Sequence, residues 1–167
     1  MKFRKTTVED INNVMKIINE AKEYFRKNRV DQWQNGYPNS DTIYNDIKKN
    51  SSYVLESENK ILATAMVSFE EDKTYKKIYN GEWLNSGKYA VIHRIAVSEK
   101  VKGNGIASAI IKEVESLCKE NRVNSIKIDT HKDNISMQKL LEKNDFKYCG
   151  IIYLDDESER VAFEKLI

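Results

Sequence analysis

The segment Val97-Ser98-Glu99-Lys100-Val101-Lys102-Gly103-Asn104-Gly105-Ile106-Ala107-Ser108 joins a strand-like apolar run to a helical pattern. Glycines at such a join let backbone N–H groups approach a ligand closely. The first amides of a helix lack intrahelical acceptors and lie at the positive end of its dipole, so phosphate oxygens are natural partners, with Lys100 and Lys102 adding charge. A diphosphate suits this chemistry. An ordinary strand-to-helix turn has the same glycines, and the glycines alone do not separate the two readings.

Two nucleotide motifs can be compared with this turn. The Walker pattern fails, because no Gly-Lys-Ser/Thr follows at the required distance after Gly103 and the helix continues Ile106-Ala107-Ser108 instead. The dinucleotide pattern GxGxxG is nearly met by Gly103-Asn104-Gly105-Ile106-Ala107-Ser108, with Asp129 at the end of the next strand near the ribose-binding acid position. It lacks the third glycine, comes late in the chain, and follows a first half that reads as antiparallel. A nucleotide-dependent oxidoreductase with Asp129 facing a ribose is therefore a runner-up.

The elements that must position this turn follow from hydrophobic periodicity. Phe3 to Thr6 reads as a first strand, and Thr7 as the cap of a helix whose apolar residues Ile11, Val14, Met15, Ile17, Ile18, Ala21 and Phe25 carry it to about Lys27. The aperiodic stretch Asn28 to Ser40 mixes aromatics with amides, as suits either a cavity-lining loop or a surface loop anchored by Trp33. Ser40 or Asp41 is expected to cap a short helix reaching about Lys49. Ser52 to Ser57 and Lys60 to Glu70 read as a hairpin turning at Glu58-Asn59. The charged and aromatic stretch Glu71 to Lys88 is expected to be a long connection or flap. Tyr89 to Val97, apolar on both alternating faces apart from His93 and Arg94, reads as a central strand. A helix through Ile106, Ala109, Ile110, Val114, Leu117 and Cys118, a strand Ser125 to Thr130 and a helix Ile135 to Lys143 come next, then strands Phe146 to Leu154 and Arg160 to Leu166. The order predicts a mixed α/β sheet packed by helices.

Composition narrows the classes of function. At 167 residues the chain is sized for one domain, expected over 1–167, and 28 Lys+Arg against 26 Asp+Glu leave a formal charge of +2, too small for a dedicated nucleic-acid binder. No apolar run approaches the roughly 18 to 20 residues of a membrane span, and the N-terminus does not read as a signal peptide, so a cytoplasmic protein without a membrane partner is expected. Cys118 and Cys149 lack CxxC spacing and read as buried thiols; His93 and His131, the 2 histidines, have no flanking ligand pattern, so no metal site is expected.

The stretch Lys102-Gly103-Asn104-Gly105-Ile106-Ala107 resembles the Gln/Arg-x-x-Gly-x-Gly/Ala motif of the GNAT superfamily of N-acetyltransferases once Lys stands for Arg. Ile95-Ala96-Val97 looks like the strand before that motif, and Asn134-Ile135-Ser136-Met137-Gln138-Lys139-Leu140-Leu141-Glu142-Lys143-Asn144-Asp145-Phe146 resembles the family's Asn-x-x-Ala-x-x-Leu-Tyr-Glu-Lys-x-Gly-Phe block. The resemblance implies a mixed, mostly antiparallel sheet flanked by helices and splayed after a bulge at its central strand pair, where pantetheine of acetyl-CoA is received. Main-chain groups of Ile95, Ala96 and Val97 would then bind pantetheine, amides from Lys102 to Ala107 the pyrophosphate, and Asn134 the coenzyme as well; Asn134 equally suits a helix N-cap.

The same resemblance implies acetyl transfer to a primary amine of a small molecule or peptide in a ternary complex. His93 is the candidate general base, since imidazole titrates near neutral pH and His93-Arg94-Ile95-Ala96-Val97 looks like the serotonin acetyltransferase strand, whose matching His is a base. A hydrogen-bonded structural histidine would look alike in sequence, and a water chain ending at Glu82 is the alternative. Leu141 stands where the family has a Tyr general acid, which keeps open a non-catalytic acetyl-CoA sensor. Asp145 replaces the usual Gly of a left-handed turn, which Asp tolerates better than most residues. Tyr148 and Tyr153 are expected to pack in the sheet. Trp33, Tyr37 and Trp83 are candidate walls of the acceptor site, with Glu82 or Asp31 attracting a cationic amine, and the resemblance implies a homodimer as one form of the protein, made by pairing of edge strands or of the late β segments.

Overall fold

The computed structural model describes residues 1–167 as seven strands and four helices. In chain order these are β1 (Lys2–Lys5), α1 (Ile11–Lys27), α2 (Ser40–Lys48), β2 (Ser52–Ser57), β3 (Lys60–Ser68), β4 (Ala90–Val97), α3 (Ile106–Glu120), β5 (Ser125–Thr130), α4 (Ile135–Lys143), β6 (Lys147–Tyr153) and β7 (Glu159–Leu166). The strand order is β1-β2-β3-β4-β5-β7-β6, and the sheet is mostly antiparallel, with β4 and β5 parallel. Helix α3 makes the crossover that a parallel pair requires. The chain divides into two compact units, one of residues 1–67 and 93–113, the other of residues 68–92 and 114–167.

The first unit begins with a 3-10 turn, Val8–Asp10, that leads into α1, and Thr7 and Asp10 form the reciprocal capping box. Val14, Ile17, Ile18 and Phe25 then fall on one buried face of α1. With Ile43, Val54 and Ala96 the first three form a core, against which Met15, Ala21, Trp33, Ile47 and Ile61 also pack. Helix α2 is capped one residue earlier than Ser40: Asn39 accepts from the Thr42 amide at 3.0 Å, and the Thr42 hydroxyl accepts from the Asn39 amide at 3.2 Å. Reciprocal bonding of this kind favours Asn39, whose φ of −130° is extended. Glu58 and Asn59 adopt φ of +50° and +60°, the two-residue turn whose twist suits a hairpin, and they close β2 onto β3.

In the second unit Tyr75, Val91, Ile152 and Ala162 form a core with Ile78, Trp83, Tyr89 and Leu154 against it. The Glu71 to Lys88 stretch is fixed rather than flap-like. It has a 3-10 turn at Lys73–Tyr75 and an antiparallel bridge from Tyr79 to Ile151 of β6. The Leu84 amide also donates to the fully buried Glu164 carboxylate at 2.6 Å. Gly81 lies against the backbone of Cys149 so closely that a Cβ there would sit 1.9 Å from the carbonyl oxygen. Tyr148 and Tyr153 do not pack within the sheet as expected. Both rings are largely exposed on the edge strand β6 and meet their neighbours edge-on, Phe163 and Tyr79 respectively.

Candidate active site

Strand β4 carries the central irregularity of the first unit. The parallel β4–β5 ladder pairs Ala90 with Ile126 and Val91 with Lys127, and β4 runs on from there to Val97. Alternation of inward and outward residues breaks over the same stretch, since His93, Arg94 and Ile95 are all half-buried between Ile92 and Ala96. The cause is local: Arg94 has φ of +51°, a left-handed conformation that turns the backbone after it out of the regular pleat.

Arg94 is held there by its side chain. Its guanidinium grips the Asp46 carboxylate of α2 in two parallel bonds, Nε to Oδ2 at 2.9 Å and Nη2 to Oδ1 at 2.7 Å, and Nη1 donates to the Tyr37 hydroxyl at 2.5 Å. The two ion-pair side chains are only 12% and 9% exposed. Burial pushes the Asp46 carboxyl above its ordinary range, and the neighbouring charges of Arg94 and His93 pull it back down. His93 therefore lies within electrostatic reach of this buried carboxylate. Tyr37 stands with its ring exposed and its hydroxyl on Arg94, whereas Trp33 is half-buried and meets the Phe25 ring edge-on at 5.5 Å, which makes it the anchor of the loop.

After Val97 the chain makes a 3-10 turn at Glu99–Val101 and reaches the glycines. Gly103 and Gly105 have φ of +85° and +76°, and a Cβ at either would meet nothing within 4 Å. What requires glycine here is backbone conformation, and the space beside it is open. The first helical bond of α3 runs from the Ala109 amide to the Gly105 carbonyl at 3.0 Å, so the amides of Gly105, Ile106 and Ala107 precede any intrahelical acceptor. Helix α1 braces the turn: Glu20 accepts from the Glu99 amide at 2.8 Å, and four residues on Tyr24 carries the Lys102 ammonium 3.3 Å from its ring centroid. Open space, left-handed glycines and free helix-terminal amides fit a phosphate-bearing group. Asn104 is exposed in the same turn.

The second unit holds the remaining sequence-derived candidates. Asn134 is nearly buried and caps α4, accepting from the Met137 amide at 3.2 Å. Trp83 is half-buried in the core of its unit, its indole N–H donating to the Tyr75 carbonyl at 2.8 Å, while Glu82 beside it is exposed. Leu141 is fully buried, so the position of the family's tyrosine is a core position here. Asp145 does take the left-handed conformation, with φ of +65°. Asp129 accepts from the buried Tyr75 hydroxyl at 2.6 Å and lies 4.0 Å from Arg160, so its carboxylate is engaged inside its own unit. Both cysteines are buried, and burial pushes the Cys118 thiol up to about 12, too high for a nucleophile at neutral pH.

The model of the acetyltransferase (GNAT) family matches residues 14–146. The chain belongs to the GNAT family. This membership and the engaged Asp129 overturn the oxidoreductase expectation, which the near-match to GxGxxG had raised. A GNAT-family acetyltransferase structure from Streptococcus agalactiae 2603 is 31% identical, with a TM-score of 0.89 over 99% of this chain and 95% of that one. The GNAT fold is also shared with an N-acetyltransferase, PaiA, from Thermoplasma acidophilum, solved in complex with coenzyme A, at 15% identity, with a TM-score of 0.72 over 99% of this chain and 98% of that one. Among curated proteins, an S-alkylcysteine N-acetyltransferase of Bacillus subtilis strain 168 is 27% identical over 114 residues, which are 68% of this chain but only 58% of that protein.

The nearly buried Arg94–Asp46 ion pair is the feature of this site that sequence reasoning missed. Arg94 was visible as a charge inside an apolar strand, but nothing in the α2 pattern distinguishes Asp46 from an ordinary exposed helix acid.

Proposed function

We propose that the protein is an acetyl-CoA-dependent N-acetyltransferase that moves the acetyl group directly to a primary amine within a ternary complex. The observation that carries this reading is the left-handed Gly103–Gly105 turn with the free amides at the head of α3, directly after the kinked stretch of β4. The amides of Gly103, Gly105, Ile106 and Ala107 bind the diphosphate, those of Lys102 and Asn104 being taken by the Glu99 and Val101 carbonyls, and the main chain of Ile95, Ala96 and Val97 binds the pantetheine arm. Asn134 contributes a polar side chain while capping α4. Acetyl-CoA supplies an acetyl thioester already activated for attack.

His93 takes the proton that the amine loses as its nitrogen bonds to the carbonyl carbon. A backbone N–H of the Ile95 to Val97 stretch donates to the carbonyl oxygen as negative charge develops there. The carbon–sulfur bond then breaks, and the thiolate gains a proton from a donor other than position 141, where Leu141 has no hydroxyl. The exposed Tyr37 and Glu82 are offered as acceptor contacts; Trp33 and Trp83 are already spent as anchors in their own units. A cytoplasmic location agrees with the absence of any helix long and apolar enough to cross a membrane.

An S-alkylcysteine is the first acceptor to test, because the Bacillus relative is an S-alkylcysteine N-acetyltransferase. The test is release of free coenzyme A thiol from acetyl-CoA across S-alkylcysteines, other amino acids, polyamines and short peptides. Turnover with any of them supports the transferase. Acetyl-CoA binding without turnover favours the sensor, the reading that Leu141 recommends, and absence of binding overturns both.

A further inference from the structure

Three consecutive half-buried residues in β4 centre on Arg94, an L-residue held at φ of +51° with no glycine, asparagine or aspartate character to ease it. Such a conformation persists only where its surroundings over-determine it. The surroundings here are specific: a forked, nearly buried contact to Asp46 and a third bond to Tyr37. A single left-handed residue also changes the facing of every peptide group that follows it in the strand, and those groups belong to Ile95, Ala96 and Val97.

We propose that Asp46 and Arg94 are positioning residues for the coenzyme-binding stretch of β4, their ion pair locking the left-handed turn at Arg94 that sets the direction of the Ile95 to Val97 peptides. The proposal rests on the acetyltransferase reading. Tyr37 extends the lock to the loop between α1 and α2, so that loop and strand are fixed at one point. Arginine suits this role because its planar fork matches a carboxylate in one orientation, which a lysine ammonium cannot do. Asp46 suits it because α2 presents the carboxylate from the core side, where solvent does not compete.

The test exploits glycine, which adopts a left-handed conformation without a lock. Full-length wild type is compared with Asp46→Asn, Arg94→Lys and the double variants Asp46→Asn/Arg94→Ala and Asp46→Asn/Arg94→Gly. Coenzyme A affinity is measured by calorimetry, and amide hydrogen exchange of Ile95 to Val97 is measured without ligand. Asp46→Asn and the alanine double variant should bind about tenfold more weakly, the factor that corresponds to losing a left-handed preference of this size. The glycine double variant should recover most of that loss, with exchange at Ile95 to Val97 returning toward wild type. Arg94→Lys, which keeps the charge and is the variant best able to fold, should be intermediate in both readouts.

Equal binding and equal exchange in the glycine and alanine double variants would overturn the proposal, since a pair that merely stabilises the fold does not discriminate between them. If wild type fails to bind coenzyme A, the acetyltransferase reading falls. The ligand-free exchange pattern still decides whether the pair sets the strand: recovery with glycine supports that role, and no recovery refutes it.

Discussion

Replacing Gly105 by alanine separates the ligand role of the glycine turn from its structural role. Gly105 has φ of +76°, it is exposed, and an added Cβ would touch nothing within 4 Å, so the substitution has no steric component. What remains is the cost of a left-handed L-residue, about 1–2 kcal/mol. In the free protein the exposed turn relaxes and sheds most of that cost, so thermal stability should move little. Binding coenzyme A through the amides at the head of α3 forces the turn back, and the full cost returns as a loss of affinity of about 5- to 30-fold. Calorimetric titration with coenzyme A, beside a thermal melt, reads both quantities. Gly81→Ala is the contrasting variant. Its Cβ would fall 1.9 Å from the Cys149 carbonyl oxygen, so backbone must move, and the damage should appear in the melt. Gly105→Ala with wild-type affinity would refute the assignment of this turn to the diphosphate.

Three further outcomes follow from the same structure. His93→Ala should lower kcat by about 10²- to 10⁴-fold, as measured by thiol release; an unchanged rate removes the base role. Arg4 bonds the Asp10 carboxylate at 2.6 Å, and that bond, with others, holds the Asp10 carboxyl below its usual range. A lowered carboxylate adds stability that is complete above the unfolded value near 4 and vanishes as pH falls through the folded one, so Arg4→Gln should cost about 1 kcal/mol at pH 7 in denaturant unfolding and progressively less at acid pH. Asp145 is also left-handed, but its turn is pinned by the Asp145 amide on the Glu142 carbonyl and the Phe146 amide on the Leu141 carbonyl, so it cannot relax and Asp145→Gly should raise stability by about 1 kcal/mol, read as a higher Tm.

The elements governed by periodicity were legible in the sequence. Strand β5 and helix α4 fall on the expected bounds, and the hairpin turns at Glu58 and Asn59, because apolar spacing and short connections are local properties. The glycine turn was legible for the same reason. The Glu71 to Lys88 stretch was not, since its conformation depends on partners remote in sequence: Leu84 on Glu164, and Tyr79 on Ile151. The Arg94 lock was hidden likewise, because its partner Asp46 lies 48 residues away and its left-handed backbone leaves no mark in residue type. Tyr148 and Tyr153 misled because aromatic residues in a strand pattern suggest burial, while the sheet order leaves β6 at an edge.

The central claim, that this GNAT domain transfers acetyl groups to amines, is tested most directly by product analysis. Purified protein is incubated with acetyl-CoA and an S-alkylcysteine, alongside amino-acid, polyamine and peptide acceptors, and the products are read by mass spectrometry. The account predicts an N-acetylated amine formed in step with free coenzyme A and lost in His93→Ala. Coenzyme binding with no acetylated product from any acceptor would contradict it.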